Sequence, residues 1–355
     1  MATAAYGHGW GRAEGDYYAP RDRLGPETGL DRATAPSAMA RWDQEEARLS
    51  LRQQVLDHLA APDGVLVLDE AEFVKDSSAY VGAQRYTDED GGRAEHRQTG
   101  VFLAYSSPRG EGYLDRELFL PRCWTEQESL RLASGLPSHV TYTTRPQMAR
   151  LMLERALQAG VPHRCIAAGP TFGADAGLRL WLEQLGEPYI MGVPGRHIVR
   201  VKNTTLRADA LVAVWPQDAW RAAPRSQMAL DGEVCAGVQV HCGAGADWER
   251  WLLAKRLTWD SSSVEYFLAF TRTGDTLEQM MSCLDGCRRV TRGMRDARRT
   301  VGLDRFTGKS WEGWYRHMTV ALMAHAMLGM VHRGCGSLGG ARRNSALDGT
   351  RWDVH

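Results

Sequence analysis

Residues 64–74 read GVLVLDEAEFV, and residues 165–173 read CIAAGPTFG. Each contains a short apolar run bounded by Gly or Pro, which is the pattern of a buried strand. Residues 148–159 and 178–185 have the apolar spacing of helices, and residues 188–194 form another apolar run, PYIMGVP. Alternation of strand, helix and strand is typical of an α/β sheet with parallel members. We therefore predict an α/β fold.

The composition limits the class of protein. The chain has 355 residues, 43% of them hydrophobic and 24% charged, which excludes a disordered, collagenous or membrane-embedded chain. Its 43 Lys and Arg balance 43 Asp and Glu. The chain therefore has no surplus of positive charge that would favour phosphate backbones as partners. Seven scattered Cys and a start without the order of an export signal predict a cytoplasmic protein. The longest apolar run, 318–331, contains His325 and is short for a bilayer, so no membrane partner is expected.

Five segments of the chain, in unbroken order, resemble the catalytic core of DDE transposases from bacterial insertion sequences. They are residues 63–125, 152–162, 172–194, 249–256 and 301–330, the last of which reads VGLDRFTGKSWEGWYRHMTVALMAHAMLGM. The resemblance extends from about residue 41 to residue 332. It implies an RNase H-like mixed sheet flanked by helices, with a β-rich insertion and a C-terminal helical segment.

The resulting division of the chain has five parts. They are a flexible arm (1–37), the first part of the RNase H-like core with a leading helix (38–199), a β-rich insertion (200–270), C-terminal helices that complete the core (271–332) and a loose tail (333–355).

In the family that the chain resembles, three carboxylates hold two divalent ions for phosphoryl transfer. The first carboxylate matches Asp69. The second matches Gly169, and the third falls at Thr291 and Arg292, with Arg298 at the place of a family lysine. The resemblance therefore implies a divergent member with a degenerate catalytic triad.

Three nearby acids are alternatives for the missing ligands. Asp175 follows Gly169 by six residues, whereas Asp285 and Asp296 lie roughly 120° and 140° around a helix from position 291. A short loop would have to double back to bring Asp175 to the site, and neither Asp285 nor Asp296 points where the replaced ligand would point. We therefore expect no metal site and no other cofactor, and Mg²⁺ is expected only if the chain is an active transposase with relocated acids.

Acid–base candidates lie around the first strand. Asp69 and Glu70 are at the carboxyl end of its apolar run, where α/β folds place ligand-binding groups. His96 precedes the next core strand and is a further acid or base candidate near Asp69. The alternative for Asp69 and Glu70 is a strand end that is simply exposed to solvent. The alternative for His96 is a turn histidine without a functional role.

Arginines recur at intervals of 4, 3 and 4 on the helix that carries position 291. This arginine stripe consists of Arg288, Arg292, Arg295 and Arg299. Because guanidinium groups bind carboxylates and phosphates, the stripe is interpreted as an anion-binding wall opposite Asp69 and Glu70. A solvated helix face and a surface for nucleic-acid phosphates are the alternatives.

These observations favour a transposase-derived protein that has been repurposed, as an enzyme or as a binding cleft for a small anionic or polar molecule in specialised metabolism. Two-metal nuclease chemistry is not expected of it. The alternatives are an inactive transposase that binds DNA as a repressor, and an active DDE transposase with relocated acids. The sequence predicts no oligomeric state.

Overall fold

A computed structural model describes residues 42–87, 94–201, 204–223, 232–240 and 247–343. The predicted flexible arm (1–37) and the end of the predicted loose tail lie outside these residues.

Twelve strands are formed in the described residues. They are Val65–Lys75 (β1), Gln84–Tyr86 (β2), Glu95–Ser107 (β3), Gly110–Leu118 (β4), Cys165–Ala168 (β5), Tyr189–Val193 (β6), Ile198–Val201 (β7), Thr204–Arg207 (β8), Arg221–Ala222 (β9), Glu233–Gln239 (β10), Trp248–Leu257 (β11) and Asp260–Arg272 (β12).

The same described residues form nine α-helices. They are Gln44–Leu59 (α1), Arg122–Glu126 (α2), Glu128–Ser134 (α3), Arg145–Gln158 (α4), Pro170–Gly173 (α5), Ala176–Leu185 (α6), Ala208–Ala213 (α7), Leu277–Thr300 (α8) and Trp311–Arg343 (α9).

The central sheet has the strand order β4–β3–β1–β5–β6. Strand β1 pairs antiparallel with β3 and parallel with β5, and β5 pairs parallel with β6. This mixed arrangement confirms the predicted α/β fold and is consistent with an RNase H-like sheet. Parallel strands must be joined by a long crossover connection, whereas antiparallel strands can be joined by a short hairpin. Helices lie in the connections from β1 to β5 and from β5 to β6, as parallel pairing requires.

The sheet continues beyond β6 into the region predicted as a β-rich insertion. Strand β12 pairs antiparallel with β6, and β11, β10 and β9 follow it in the same sheet. The hairpin β7–β8 is separate from this sheet, and the short helix α7 follows it directly.

Local sequence signals fix the ends of the helices around the centre. Thr144 caps α4 and forms a reciprocal capping box with Gln147, and Thr276 does the same for α8 with Gln279. Helix α4 ends before Gly160, whose φ of 65° suits a residue without a side chain.

Helices cover both faces of the sheet. Helix α8 packs on the face that presents Val65 and Phe73 of β1, and α9 lies on the same side, where Trp314 approaches Gly100. Helix α1 lies along β4 on the other side, where Arg52 donates to a carbonyl oxygen of α4. Helices α4, α5 and α6 contact one another on the other side. The core that they enclose includes Trp314 and Tyr113, whose side chains are almost fully buried.

Helix α9 continues past position 332, the predicted end of the helical region. It runs to Arg343, although this stretch contains several glycines. Glycine lowers helix stability by about 1 kcal/mol per residue but does not by itself end a helix. Within the described residues, no helix is long and apolar enough to cross a membrane.

Candidate functional site

Asp69 lies where the parallel pairing of β1 and β5 ends. Leu68 and Ala168 are the last register partners of the two strands, so Gly169 follows directly beside Asp69. Gly169 is also the N-cap of α5, and Pro170 begins that helix. The first two positions of the family pattern are therefore adjacent across the sheet.

Helix α8 passes over Asp69 on one face of the sheet. The Tyr113 hydroxyl donates a hydrogen bond of 3.0 Å to the Val290 carbonyl oxygen. Burial raises the pKa values of Tyr113 and of the Cys287 thiol, and the negative charge of Asp69 raises both further. Position 291 is therefore on the part of α8 that lies above Asp69.

The Asp69 carboxyl is in a poorly solvated environment. Its pKa is raised from 3.8 to about 7, chiefly by desolvation and also by the negative charge of Glu70. A hydrogen bond of 2.9 Å from the Glu70 backbone N–H and the charge of Arg298 act in the opposite direction. Asp69 can consequently take up or release a proton near neutral pH.

Glu70 is held on the other side of the sheet. Its carboxylate accepts hydrogen bonds from the Arg145 guanidinium at 2.8 Å and from the Thr171 hydroxyl at 2.6 Å. Arg145 opens α4 and Thr171 lies in α5, so both contacts belong to the face opposite α8. Successive side chains of a strand point to opposite faces. Asp69 and Glu70 therefore do not form one carboxylate pair.

His96 is far from both carboxylates. It lies in β3 opposite Lys75, whereas Asp69 lies opposite Phe102. Six residues along a strand correspond to about 20 Å. The structure does not bring His96 and Asp69 together, and a role for His96 stays a prediction.

The arginine stripe lies on the outer side of α8. Arg292 and Arg295 are exposed, and the Arg299 side chain is 75% exposed with a 3.5 Å contact to Asp296. Arg288 is partly buried, with ion pairs to Glu233 and Asp285. The buried side of α8, which includes Cys287, Val290 and Met294, faces the sheet. Consecutive residues of a helix are roughly 100° apart around its axis, so the stripe lies on a different side of α8. The structure therefore does not place the stripe opposite Asp69 and Glu70.

The side of α8 that faces the sheet carries Thr291 and Arg298. The Thr291 hydroxyl donates to the Cys287 carbonyl oxygen at 3.0 Å. Arg298 donates to the Glu72 carbonyl oxygen at 3.0 Å and lies 5.1 Å from the centre of the Phe73 ring. Arg298 is thus the cation on the Asp69 side of the sheet whose charge acts on Asp69.

The three alternative acids have contacts elsewhere. Asp175 caps α6 and accepts a hydrogen bond of 2.7 Å from the Leu178 backbone N–H. Asp285 lies 3.8 Å from Arg288, and Asp296 contacts Arg299.

A paired Mg²⁺ site needs several carboxylate oxygens around a shared position. In the described ranges, no three His, Cys, Asp or Glu side chains are grouped so that they could hold a metal ion. Asp69 is flanked by Gly169 and by α8, and Glu70 faces away. The described residues therefore do not fit a two-metal centre.

Sequence reasoning did not identify the residues that hold Glu70. Arg145 and Thr171 follow it by 75 and 101 residues, and only the folded sheet brings them to it. Tyr113 was also missed, since an isolated tyrosine in a strand carries no signal of its neighbours. Arg298 was named from the family pattern.

Comparison with known proteins gives one family. A family model described as DDE superfamily endonuclease matches residues 27–212, just over half of the chain. No curated protein matches the sequence. The matched residues include Asp69, Gly169 and the central strands β1, β3, β4, β5 and β6. The chain therefore belongs to the DDE superfamily endonuclease family.

Proposed function

We propose that this protein binds duplex DNA through the exposed part of the arginine stripe and does not cut it by paired-metal chemistry. The observation that carries the proposal is the exposure of Arg292, Arg295 and Arg299 along one side of α8. In the cell, such a protein would occupy DNA sites and act as a repressor of an active relative.

The dimensions of the stripe suit a phosphate backbone. Arg292 and Arg299 are seven residues apart, which is about 10 Å along a helix. Phosphates of one DNA strand follow one another every 3.4 Å or so along the duplex axis, so this length covers about three of them. The balanced total charge does not oppose the proposal, because a local patch determines the contact. The ion pair of Arg299 with Asp296 is exposed and contributes little.

The absence of cleavage is proposed from the donor set. Asp69 lies beside Gly169 rather than beside a second carboxylate, and within the described residues no three acids are grouped around it. A single carboxylate supplies too few oxygen ligands and too little negative charge to hold two divalent ions. We infer that the chain has lost two of the three metal ligands of its family.

Both parts of the proposal can be tested on the full chain. Binding to duplex DNA is measured by fluorescence anisotropy from about 50 to 300 mM salt, and we expect a steep linear decrease of log K with log salt. In Arg292→Ala/Arg295→Ala the slope should become about 1.8 smaller, since each lost phosphate contact removes about 0.9.

The matched control is Arg122→Ala/Arg150→Ala, which removes the same charge from side chains that are 66% and 50% exposed elsewhere on the surface. This control should keep the wild-type slope. Equal slopes in both double variants would show that only total charge matters. Absence of salt-dependent binding in the wild type would exclude DNA as the partner.

Cleavage is tested with supercoiled plasmid and Mg²⁺ or Mn²⁺. We expect no nicked product above background. Nicking that disappears in Asp69→Asn would contradict the proposed loss of nuclease chemistry.

A second candidate function rests on the Asp69 carboxyl. Its pKa of about 7 and the nearby charge of Arg298 suit a cleft that binds or protonates a small anionic or polar molecule, as a repurposed enzyme would. Calorimetric titration with sulfate, an anion whose charge does not change near neutral pH, tests it. Binding should strengthen below pH 7, since a protonated Asp69 does not repel an anion, and should be lost in Arg298→Ala. In Asp69→Asn the pH dependence should vanish while binding remains. Binding that does not respond to either substitution would exclude this cleft.

A further inference from the structure

Three buried cysteines come together where α8 packs on the start of β5. Cys165 is the first residue of β5, and Cys283 and Cys287 are about one turn apart in α8. Their side chains are 3%, 4% and 5% exposed, and all three are free thiols. The folded chain thus brings together thiols of two segments, and Cys165 and Cys283 are 118 residues apart in the sequence.

The close contact between α8 and the sheet depends on Gly286, which lies between the two helix cysteines. A β-carbon at Gly286 would lie 3.4 Å from the β-carbons of Val65 and Ser106, so the helix rests directly on the strands here. Val65 is the register partner of Cys165, and the side chains of register partners point to the same face of a sheet. Cys165 therefore points towards α8, where its thiol and the Cys283 thiol are hydrogen-bonded to each other.

The hydrogen bond makes the two thiols chemically different. It raises the pKa of Cys165, and burial raises this pKa further. It lowers the pKa of Cys283 against the effect of burial, with a smaller contribution from the positive charge of Arg164. The thiolate is the reactive form of cysteine, and redox-sensing cysteines often lie beside a second, resolving thiol. Cys283 is thus the better nucleophile of the pair, and Cys165 is placed to resolve it.

A polar edge of the molecule lies next to Cys283. The Arg164 guanidinium and the Asp275 carboxylate form an ion pair at 3.1 Å, and their side chains are 35% and 25% exposed. Both charges act on the Cys283 thiol, so the ion pair lies close to it. An ion pair with this exposure contributes little to stability. A small oxidant therefore reaches Cys283 by displacing this ion pair, without opening the apolar core.

We propose that Cys165 and Cys283 are a redox-sensitive pair, which a hydroperoxide such as hydrogen peroxide oxidises to a reversible disulfide between β5 and α8. The Cys283 thiolate attacks one peroxide oxygen and the O–O bond breaks, which leaves a sulfenic acid on Cys283 and a hydroxide that is protonated to water. The Cys165 sulfur then attacks the Cys283 sulfur, and the S–O bond breaks. The hydroxyl group leaves with the Cys165 proton as a second water. The two sulfurs together lose two electrons, which the peroxide gains.

The disulfide fastens α8 to the sheet. It closes a loop of 118 residues, and a cross-link across a long loop restricts the unfolded chain strongly. Because α8 carries the arginine stripe and also lies above Asp69, oxidation fixes both in place. A dithiol reductant restores the two thiols by thiol–disulfide exchange. The inference needs only the thiol pair and does not depend on the proposed DNA binding.

The test treats the full wild-type chain with hydrogen peroxide, without DNA, and alkylates the remaining thiols before digestion and mass spectrometry. We expect a peptide pair joined through Cys165 and Cys283, which dithiothreitol separates again. The oxidised chain should melt roughly 5 to 10 °C above the reduced chain. Oxidation of the exposed Cys123 without this cross-link would show that the peroxide had reacted elsewhere, and would overturn the inference. A cross-link of Cys283 to Cys287 in the wild type would also overturn it.

Single substitutions separate the roles of the two thiols. In Cys165→Ser the sulfenic acid of Cys283 has lost its resolving thiol, so its labelling by dimedone should increase several-fold. In Cys283→Ser neither the cross-link nor labelling of Cys165 should appear. The matched control, Cys123→Ser, removes an exposed thiol and should keep the cross-link in full. Unchanged labelling of Cys283 in Cys165→Ser would contradict the pairing. Far-UV circular dichroism checks the folding of the variants, and the wild-type measurement does not rely on it.

Discussion

The two faces of strand β1 give neighbouring acids opposite environments. On one face, Asp69 is poorly solvated, and its pKa is raised to about 7. On the other face, Glu70 accepts hydrogen bonds from Arg145 and Thr171 at 2.8 and 2.6 Å. Two acids that are adjacent in sequence are thus separated by the thickness of the sheet.

The difference explains which acid can carry a function. A carboxylate that is fully hydrogen-bonded to a cation holds two elements together and is not free for a ligand. A carboxylate whose charge is poorly compensated lowers the stability of the folded chain when it is ionised. Such groups are concentrated at functional sites. Asp69 is of the second kind, and Glu70 is of the first.

The largest effect is expected from Asp69→Asn. The unfolded chain releases the Asp69 proton near pH 3.8, whereas the folded chain keeps it to about pH 7. Stability from this group is therefore present in full below pH 4 and decreases as the pH rises towards 7. The gap corresponds to at most about 4 kcal/mol. The variant should match the wild type at pH 4 and exceed its free energy of unfolding at pH 8, as measured by urea denaturation.

Asp296→Asn is the control for removing an acid, because its side chain is 47% exposed. It should change the free energy of unfolding by less than about 0.5 kcal/mol at either pH. If Asp69→Asn were destabilising at pH 8, the ionised carboxylate would have a stabilising partner, and the contrast between the two faces would be wrong.

The positions of the strands around β1, and their parallel pairing, could be predicted from the sequence. The apolar runs fix β1 and β5, and the helices between them fix parallel pairing, so Asp69 and Gly169 could be placed side by side. The alternation of a strand also separates Asp69 from Glu70, although the adjacent letters suggested a pair. This part follows from local geometry alone.

The rest depends on contacts between distant segments. Spacing showed that the arginine stripe shares one side of α8, but only packing decides whether that side faces the sheet or the solvent. The buried residues Cys287, Val290 and Met294 turn the stripe outward. Apolar residues on this helix therefore predict the orientation better than its arginines do.

A second effect is expected when acids are added to the Asp69 face. Gly169→Asp/Thr291→Glu places carboxylates at the two positions that the resemblance aligns with the other two metal ligands of the family. Gly169 has a φ of −77° and an N-cap position, both of which suit Asp, and Glu is a good helix former. Without metal the variant should be less stable than the wild type, because three acids then share a poorly solvated space. Mg²⁺ at about 100 times its dissociation constant should return about 2.7 kcal/mol, as measured by denaturation with and without chelator.

The control places the same number of acids on the Glu70 face. Thr144→Asp/Thr171→Asp adds two carboxylates near Arg145, at the ends of α4 and α5. We expect no Mg²⁺ effect in this variant or in the wild type. A wild type that is stabilised by Mg²⁺ would show that the present residues already hold the ion.

The smallest effect is expected from Glu70→Gln, which keeps the shape of the side chain but removes its charge. The ion pair with Arg145 is partly exposed, at 28% and 37% for the two side chains, so its charge contributes only about 1 kcal/mol. Added salt should weaken the wild type more than the variant, since screening removes an interaction that the variant has already lost. Unlike Asp69→Asn, this substitution should be destabilising at pH 8, as measured by urea denaturation at low and high salt. A stabilising effect would mean that Glu70, like Asp69, carries an uncompensated charge, and that the faces of β1 do not differ as the contacts indicate.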